Sequence, residues 1–342
     1  MASGAVICSL SLRDDGPEGF KMSKAIPADV GASWLIHLGC CESCPRRCRV
    51  NRLAGEVGFC RVDAGIPVAH VGLHFGEEPP ISGTRGSGTI FLAGCNLRCV
   101  FCQNSQISQE TPPERFRRLA PAELAAQMRR LQDQGAHNIN FVSPSHMVFQ
   151  VAEAIEHARQ AGLVVPVVYN SNGYDSVAAL RRIRGLVDIY LPDLKYLDNA
   201  LGKRFSGVDD YADRAPAVLR EMLDQVGCLS LDEDGIAMRG VLVRHLVLPG
   251  CTDNSRRCLD FLARLAPNIP VSIMAQYAPR HRAGDYPQIN RRLSQDEYDQ
   301  IVDHALDLGL ENAFIQELEA SEHYLPDFTS DDPFGNAAPD FA

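Results

Sequence analysis

No stretch of the 342 residues stays apolar for the length a bilayer crossing demands, so a membrane-spanning helix is excluded. Basic side chains are in deficit, 33 Lys and Arg against 43 Asp and Glu for a net charge of -10, and the electrostatic footprint of a nucleic-acid binder is missing. The patch Ala5–Leu12 has neither a basic flank nor a cleavage site and does not read as a signal peptide. Cysteine is what the chain does have: twelve, without a secretion signal, which is the usage of cytoplasmic thiols kept reduced for metals rather than disulfides. With 45% hydrophobic and 22% charged residues, the composition is that of a globular enzyme with room for one barrel and a small extra domain.

Three of the cysteines stand close together. Three residues separate Cys95 from Cys99 and two separate Cys99 from Cys102, so one short loop can present three thiolates to a soft metal centre. That is one ligand short of a cubane's four irons, which leaves an iron open to another group. The apolar run 89–93 before the loop reads as a buried strand, placing the metal at a strand's C-terminal end, where barrel enzymes keep their chemistry. A zinc knuckle or chance cluster is the plainer reading, and the spacing after a strand is more specific than a lone CxxC.

A second group precedes it. Cys41, Cys44 and Cys48 follow a two-then-three spacing, and Cys60 lies beyond a glycine-containing loop that can fold it back as a fourth ligand. Four thiolates close a site, either a structural zinc or a fully ligated auxiliary iron-sulfur cluster. Cys40 is set aside because immediate neighbours join one tetrahedron only with strain. Cys228, Cys251 and Cys258 show no ligand spacing and read as buried or inert thiols, with Cys251 on a loop that can approach the rim of a barrel.

Periodicity supplies the rest. Helix signals from Pro121 (Leu124, Met128, Leu131), from Val148 (Val151, Ile155, Ala158), and over 177–183, 216–226 and 256–265 alternate with strand signals over 138–142, 164–169, 186–191, 241–247 and 271–274. Ser294 and Glu297 have the spacing of a capping box opening a last helix that ends at Gly309, and 312–317 can add a strand. This order predicts an α/β fold with a parallel sheet, a partial (β/α)6 TIM-type barrel with a small N-terminal cysteine-rich domain. The division is 1–37 without clear periodicity, 38–85 cysteine-rich and metal-binding, 86–318 barrel, and 319–342 an acidic tail, surface-bound or disordered. Glycine and proline density over 70–88 marks irregular backbone.

The three-cysteine loop, with Phe101 directly before its third cysteine, resembles the signature of the radical S-adenosylmethionine (SAM) superfamily. The four-cysteine segment, Asn138-Ile-Asn-Phe-Val-Ser-Pro-Ser-His, Tyr169-Asn-Ser-Asn-Gly-Tyr, Asp188-Ile-Tyr-Leu-Pro-Asp-Leu-Lys-Tyr, Arg239-Gly-Val-Leu-Val-Arg-His and Met274-Ala-Gln-Tyr resemble a branch related to the pyruvate formate-lyase activating enzymes, over roughly 38–315. The resemblance implies a [4Fe-4S] cluster on Cys95, Cys99 and Cys102 whose open iron takes SAM, reductive cleavage to a 5'-deoxyadenosyl radical, and hydrogen abstraction from a substrate. A glycyl residue of a partner protein is one such substrate, and a flavodoxin or ferredoxin is the implied low-potential reductant.

It also implies a SAM site on the rim. Asp193 and Lys195 match an Asp-x-Lys motif that helps hold SAM, and Arg244 matches an arginine of the fifth strand; the plainer reading is a rim ion pair. Asn170 and Ser171 stand where the activating enzymes have an acidic residue and a threonine. Ser143-Pro-Ser-His stands where many members have a Gly-Gly-Glu turn, so that either the turn's carbonyls and hydroxyls, Ser143 first, meet SAM or His146 faces the substrate. His74, His146 and His245 otherwise read as hydrogen-bonded structural histidines. The competing function is a non-catalytic iron-sulfur or zinc module, or an electron-transfer protein.

Overall fold

Runs of β-branched and apolar residues alternate with amphipathic helices, and the strands they form lie mainly parallel. In this computed structural model, residues 33–318, 325–330 and 332–335 are described. The expectations for 1–32 and for most of the acidic tail lie outside the described residues.

In chain order the elements are β1 (Ile66–His74), β2 (Ser87–Leu92), β3 (Arg117–Leu119), α1 (Pro121–Asp133), β4 (Ile139–Val142), α2 (Val148–Gln160), β5 (Val167–Ser171), α3 (Val177–Arg182) and β6 (Ile189–Pro192). There follow α4 (Tyr211–Val226), β7 (Ser230–Leu231), β8 (Ala237–Val241), β9 (Val243–Leu246), α5 (Thr252–Leu265), β10 (Val271–Met274), α6 (Gln295–Asp307) and β11 (Ala313–Ile315). Strands β2, β4, β5, β6 and β8 pair in parallel, as do β9, β10 and β11. A parallel bridge between Asp193 and Arg244 carries the arc from the end of β6 to β9. The far edge of β2 is taken by β1, which runs antiparallel and carries β3. The parallel arc is therefore an open barrel.

Every residue of β2 is buried, as a strand covered on both faces requires. Helix α1 opens on Pro121 at its first position, the Glu123 carboxylate accepts from the Ala120 N–H at 2.8 Å, and Leu124, Met128 and Leu131 face the core. Burying each such side chain contributes about 1.5–3 kcal/mol, and this stripe fixes which face the helix lays on the sheet. Among the described residues no helix is long and apolar enough to cross a membrane.

Some boundaries depart from the sequence reading. The expected strand 241–247 is two strands meeting at Leu242, one paired with β6 and the other with β10. Irregular backbone was expected from residue 70, yet β1 extends to His74 because the ladder with β2 outweighs its weak alternation. Helix α4 starts at Tyr211 and contains Pro216, since the buried face of Ala215, Val218, Leu219 and Met222 outweighs one missing hydrogen bond. The stretch 312–317 does contribute β11.

Candidate functional site

The cysteine loop leaves β2 through Gly94, whose φ of +80° falls in the left-handed region open to glycine. A Cβ there would stand 2.7 Å from the Cys60 carbonyl oxygen, so the two cysteine groups meet at this residue. Asn96, fully buried, donates to the Tyr174 carbonyl at 2.6 Å and accepts from Asn172 at 2.7 Å, which pins the loop to the turn after β5. Arg46 donates to the Asn96 carbonyl at 2.9 Å. Arg98 donates to the carbonyls of Cys95 and Phe59. Phe101 is buried with its ring centroid 5.9 Å from that of Tyr277.

Each thiol of the loop has a polar neighbour. Cys95 Sγ accepts from the Leu97 N–H and from Asn172 Nδ2, both at 3.4 Å; Cys99 Sγ lies 3.0 Å from Ser206 Oγ and Cys102 Sγ 3.4 Å from Ser108 Oγ. Burial pushes the Cys95 thiol up to about 11 and that of Cys102 up to about 12. A coordinated metal, which displaces the proton outright, would make them thiolates at neutral pH. A cubane would take one cysteine on each of three irons and leave the fourth iron open.

All three cysteines line a cavity of about 970 Å³, and Ser143, Asn170, Asp193, Lys195 and Arg244 line it as well. The polar side chains form one buried network. Asp193 Oδ2 accepts from Lys195 Nζ at 2.6 Å and Oδ1 from Arg244 Nε at 3.0 Å, while Arg244 Nη2 donates to Asn170 Oδ1 at 2.6 Å. Burial pushes the Asp193 carboxyl up, but Lys195 and Arg244 more than offset it and hold it below its usual range. Burial lowers the Lys195 ammonium, which Asp193 and Cys99 in turn raise above its usual value. Ser143, with φ +56°, holds a left-handed turn that costs a non-glycine residue about 1–2 kcal/mol, and its N–H donates to the Asn170 carbonyl at 2.8 Å.

Sequence reasoning missed Glu77. Its carboxylate accepts from Asn140 Nδ2 at 2.9 Å and pairs with Arg244 Nη1 at 3.3 Å, and it lines the cavity with Glu78. The only signal was an acid pair inside a glycine- and proline-rich stretch. Burial pushes both carboxyls up.

The histidines divide. His146 does not face the cavity: fully buried, its Nε2 lies 3.1 Å from the Ala93 carbonyl, so it props the cysteine loop from beneath. His245 is held between the Leu194 carbonyl at 2.6 Å and Ser255 Oγ at 2.8 Å, a structural role. His74 lies on the cavity wall, lowered to about 4 by burial. Cys251 is buried off the cavity, with Gln288 Nε2 3.4 Å away, and does not reach the rim.

Two further features frame the site. In the cysteine-rich segment Cys41, Cys44 and Cys60 are buried, Cys48 is half-buried and Cys40 exposed. Elsewhere on the cavity wall Phe328 packs edge-on and Phe334 tilted against Phe91 of β2, with centroids at 5.2 and 5.1 Å, and Gln106 binds Asp327 and the Phe328 N–H. Part of the acidic tail is thus packed on the barrel.

The model of the Radical SAM superfamily matches residues 89–226, from β2 through α4. MJ0674, an uncharacterized protein of Methanocaldococcus jannaschii, is 35% identical over 276 residues, 79% of this chain and 74% of that one. Among solved structures, Streptococcus suis SuiB bound to the precursor peptide SuiA is similar at 14% identity and a TM-score of 0.45, over 68% of this chain and 49% of that one. The chain spans about half the length of SuiB. A domain of pyruvate-formate lyase-activating enzyme from Bacteroides vulgatus is similar at 16% identity and a TM-score of 0.38, over 52% of this chain and 98% of that one. The matched family agrees with the loop and the open parallel arc: the chain belongs to the radical SAM superfamily and is a radical SAM enzyme.

Proposed function

We propose that Cys95, Cys99 and Cys102 hold the [4Fe-4S] cluster and that Asp193, Lys195, Arg244, Asn170 and Ser143 bind SAM, in a branch related to the pyruvate formate-lyase activating enzymes. One observation carries this reading: the three thiols of one loop and polar side chains on or just after four separate strands line the same cavity. The cluster, once bound, supplies the electron that cleaves SAM to methionine and a 5'-deoxyadenosyl radical.

The chain's own residues do the positioning. Lys195 offers its ammonium to the methionyl carboxylate while Asp193 fixes its place, and Arg244, held between Asp193 and Glu77, keeps Asn170 aimed. Because these groups are paired before any ligand arrives, little reorganisation is needed on binding. The hydrogen donor we assign is a glycyl residue of a partner protein, and the electron source a reduced flavodoxin or ferredoxin.

Anaerobic reconstitution tests the reading. With SAM and dithionite the enzyme should release methionine and 5'-deoxyadenosine, and Cys99→Ala should abolish both. Cleavage that survives that substitution refutes the assignment of the loop.

A further inference from the structure

The cavity leaves four cysteines unused, and the way they are held points to a second cofactor. Cys41, Cys44, Cys48 and Cys60 come from one short segment folded on itself: the Cys41 N–H donates to the Val50 carbonyl at 3.0 Å and the Arg49 N–H to the Cys41 carbonyl at 2.9 Å. Arg47, Arg49 and Arg61 adopt positive φ of 44°, 57° and 62°, a strained path for arginine that persists where something else over-determines the backbone. Gly58 is required for space. A Cβ there would stand 2.7 Å from Cys48 Sγ, so the backbone leading to Cys60 passes directly over that sulfur, and the Phe59 N–H donates to it at 3.4 Å. Cys44 and Cys60 each lie within electrostatic reach of Cys41, and Cys60 also of Cys48.

Zinc and iron-sulfur make different demands on such a quartet. A structural zinc draws four sulfurs to about 2.3 Å from one point. What separates them here is position: the Cys60 carbonyl lies against Gly94, directly before Cys95, where a redox cluster has a use and a structural zinc has none. Charge is matched as well: Arg52, 1% exposed, donates from Nη2 to Cys60 Sγ at 3.1 Å and from Nη1 to the His146 carbonyl at 2.8 Å. A buried guanidinium on a ligand sulfur suits an anionic cluster, whose potential depends on such hydrogen bonds.

We infer that Cys41, Cys44, Cys48 and Cys60 ligate a second, fully coordinated [4Fe-4S] cluster that passes electrons to the one on Cys95, Cys99 and Cys102. The route is short. Arg98 joins the Phe59 carbonyl, next to Cys60, to the Cys95 carbonyl at 2.6 and 3.0 Å, and the Cys60 carbonyl abuts Gly94. A one-electron donor of the reduced flavodoxin or ferredoxin class reduces the outer cluster, which is reoxidised as it reduces the inner one; no proton or leaving group moves. Only this transfer rests on the function proposed above; the site does not.

The triple variant Cys95→Ala, Cys99→Ala and Cys102→Ala, reconstituted anaerobically, separates the two claims because it cannot cleave SAM. It should keep about four irons and four sulfides per chain against about eight of each for the wild type, and show the signal of a reduced cluster by electron paramagnetic resonance. One zinc and no iron in this variant, or no metal at all, overturns the proposal. Should the variant fail to fold, the wild-type count decides: about four irons means one cluster and refutes the second. Arg52→Met should leave the iron count unchanged, move the outer cluster to a lower potential and slow SAM cleavage driven by reduced flavodoxin. An unmoved potential removes Arg52 from the cluster, and an unchanged flavodoxin-driven rate refutes the relay.

Discussion

Two groups of cysteines, packed against each other through Gly94, sit in opposite surroundings. The trio opens onto a cavity and touches serine hydroxyls, an asparagine amide and a backbone N–H. The quartet lies off that cavity, met by backbone N–H groups, the Ser43 hydroxyl and one buried arginine, so that access and a buried cation, not hydroxyls, set the two apart. Access and ligand number change together. On the functions proposed above, three thiols with an open side would serve chemistry on a bound cosubstrate and four enclosed thiols electron transfer, so that identical side chains would take different jobs from what surrounds them.

Breaking one group at a time sharpens this contrast, and Cys99→Ala should have the largest effect. It should remove SAM cleavage entirely yet leave the iron of the quartet, both measurable on one preparation. Next comes Asp193→Asn, which takes the negative charge from between Lys195 and Arg244. Breaking a buried pair costs about 3–5 kcal/mol, so the denaturation midpoint should fall and SAM affinity drop by about tenfold or more by titration calorimetry. An unchanged affinity would show that the cavity wall binds nothing through this carboxylate.

Gly94→Ala attacks the junction itself. The left-handed φ alone costs alanine about 1–2 kcal/mol, and its Cβ would press on the Cys60 carbonyl. A lower melting temperature with both clusters loosened is expected, and loss from one alone would deny that the groups share a support. The smallest effect belongs to a control away from both. Glu297 caps α6 and is bound by Arg291 and by the Gly250 N–H, with burial opposing, which together pull its carboxyl down to about 2. A depressed carboxyl stabilises fully above the unfolded value of about 4.3 and loses that contribution as pH falls toward 2. Glu297→Gln should therefore cost about 1 kcal/mol near neutrality, with the gap to wild type closing between about pH 5 and 2 and both cysteine groups intact.

Much of this was legible in the chain. Period-2 and period-3.6 patterns placed the strand ends, and parallel topology then sent Ser143, Asn170, Asp193, Lys195 and Arg244 to one rim without knowledge of any contact. Glu77 was not legible, because its place depends on an irregular loop folding under β1, and loops carry no period. His146 was ambiguous for a related reason: one residue's rotation in a left-handed turn decides whether it faces the cavity or the loop beneath. The meeting of the two cysteine groups was invisible too, since a glycine in sequence does not say whose carbonyl will crowd it.

Phe328 and Phe334, far along the chain, lean on Phe91 in the strand that feeds the cysteine loop. Shortening the protein at its end would strip the cavity-facing side of that strand and bare its aromatic ring to water. Anyone trimming the chain to ease crystallisation would be altering the wall of the reaction chamber.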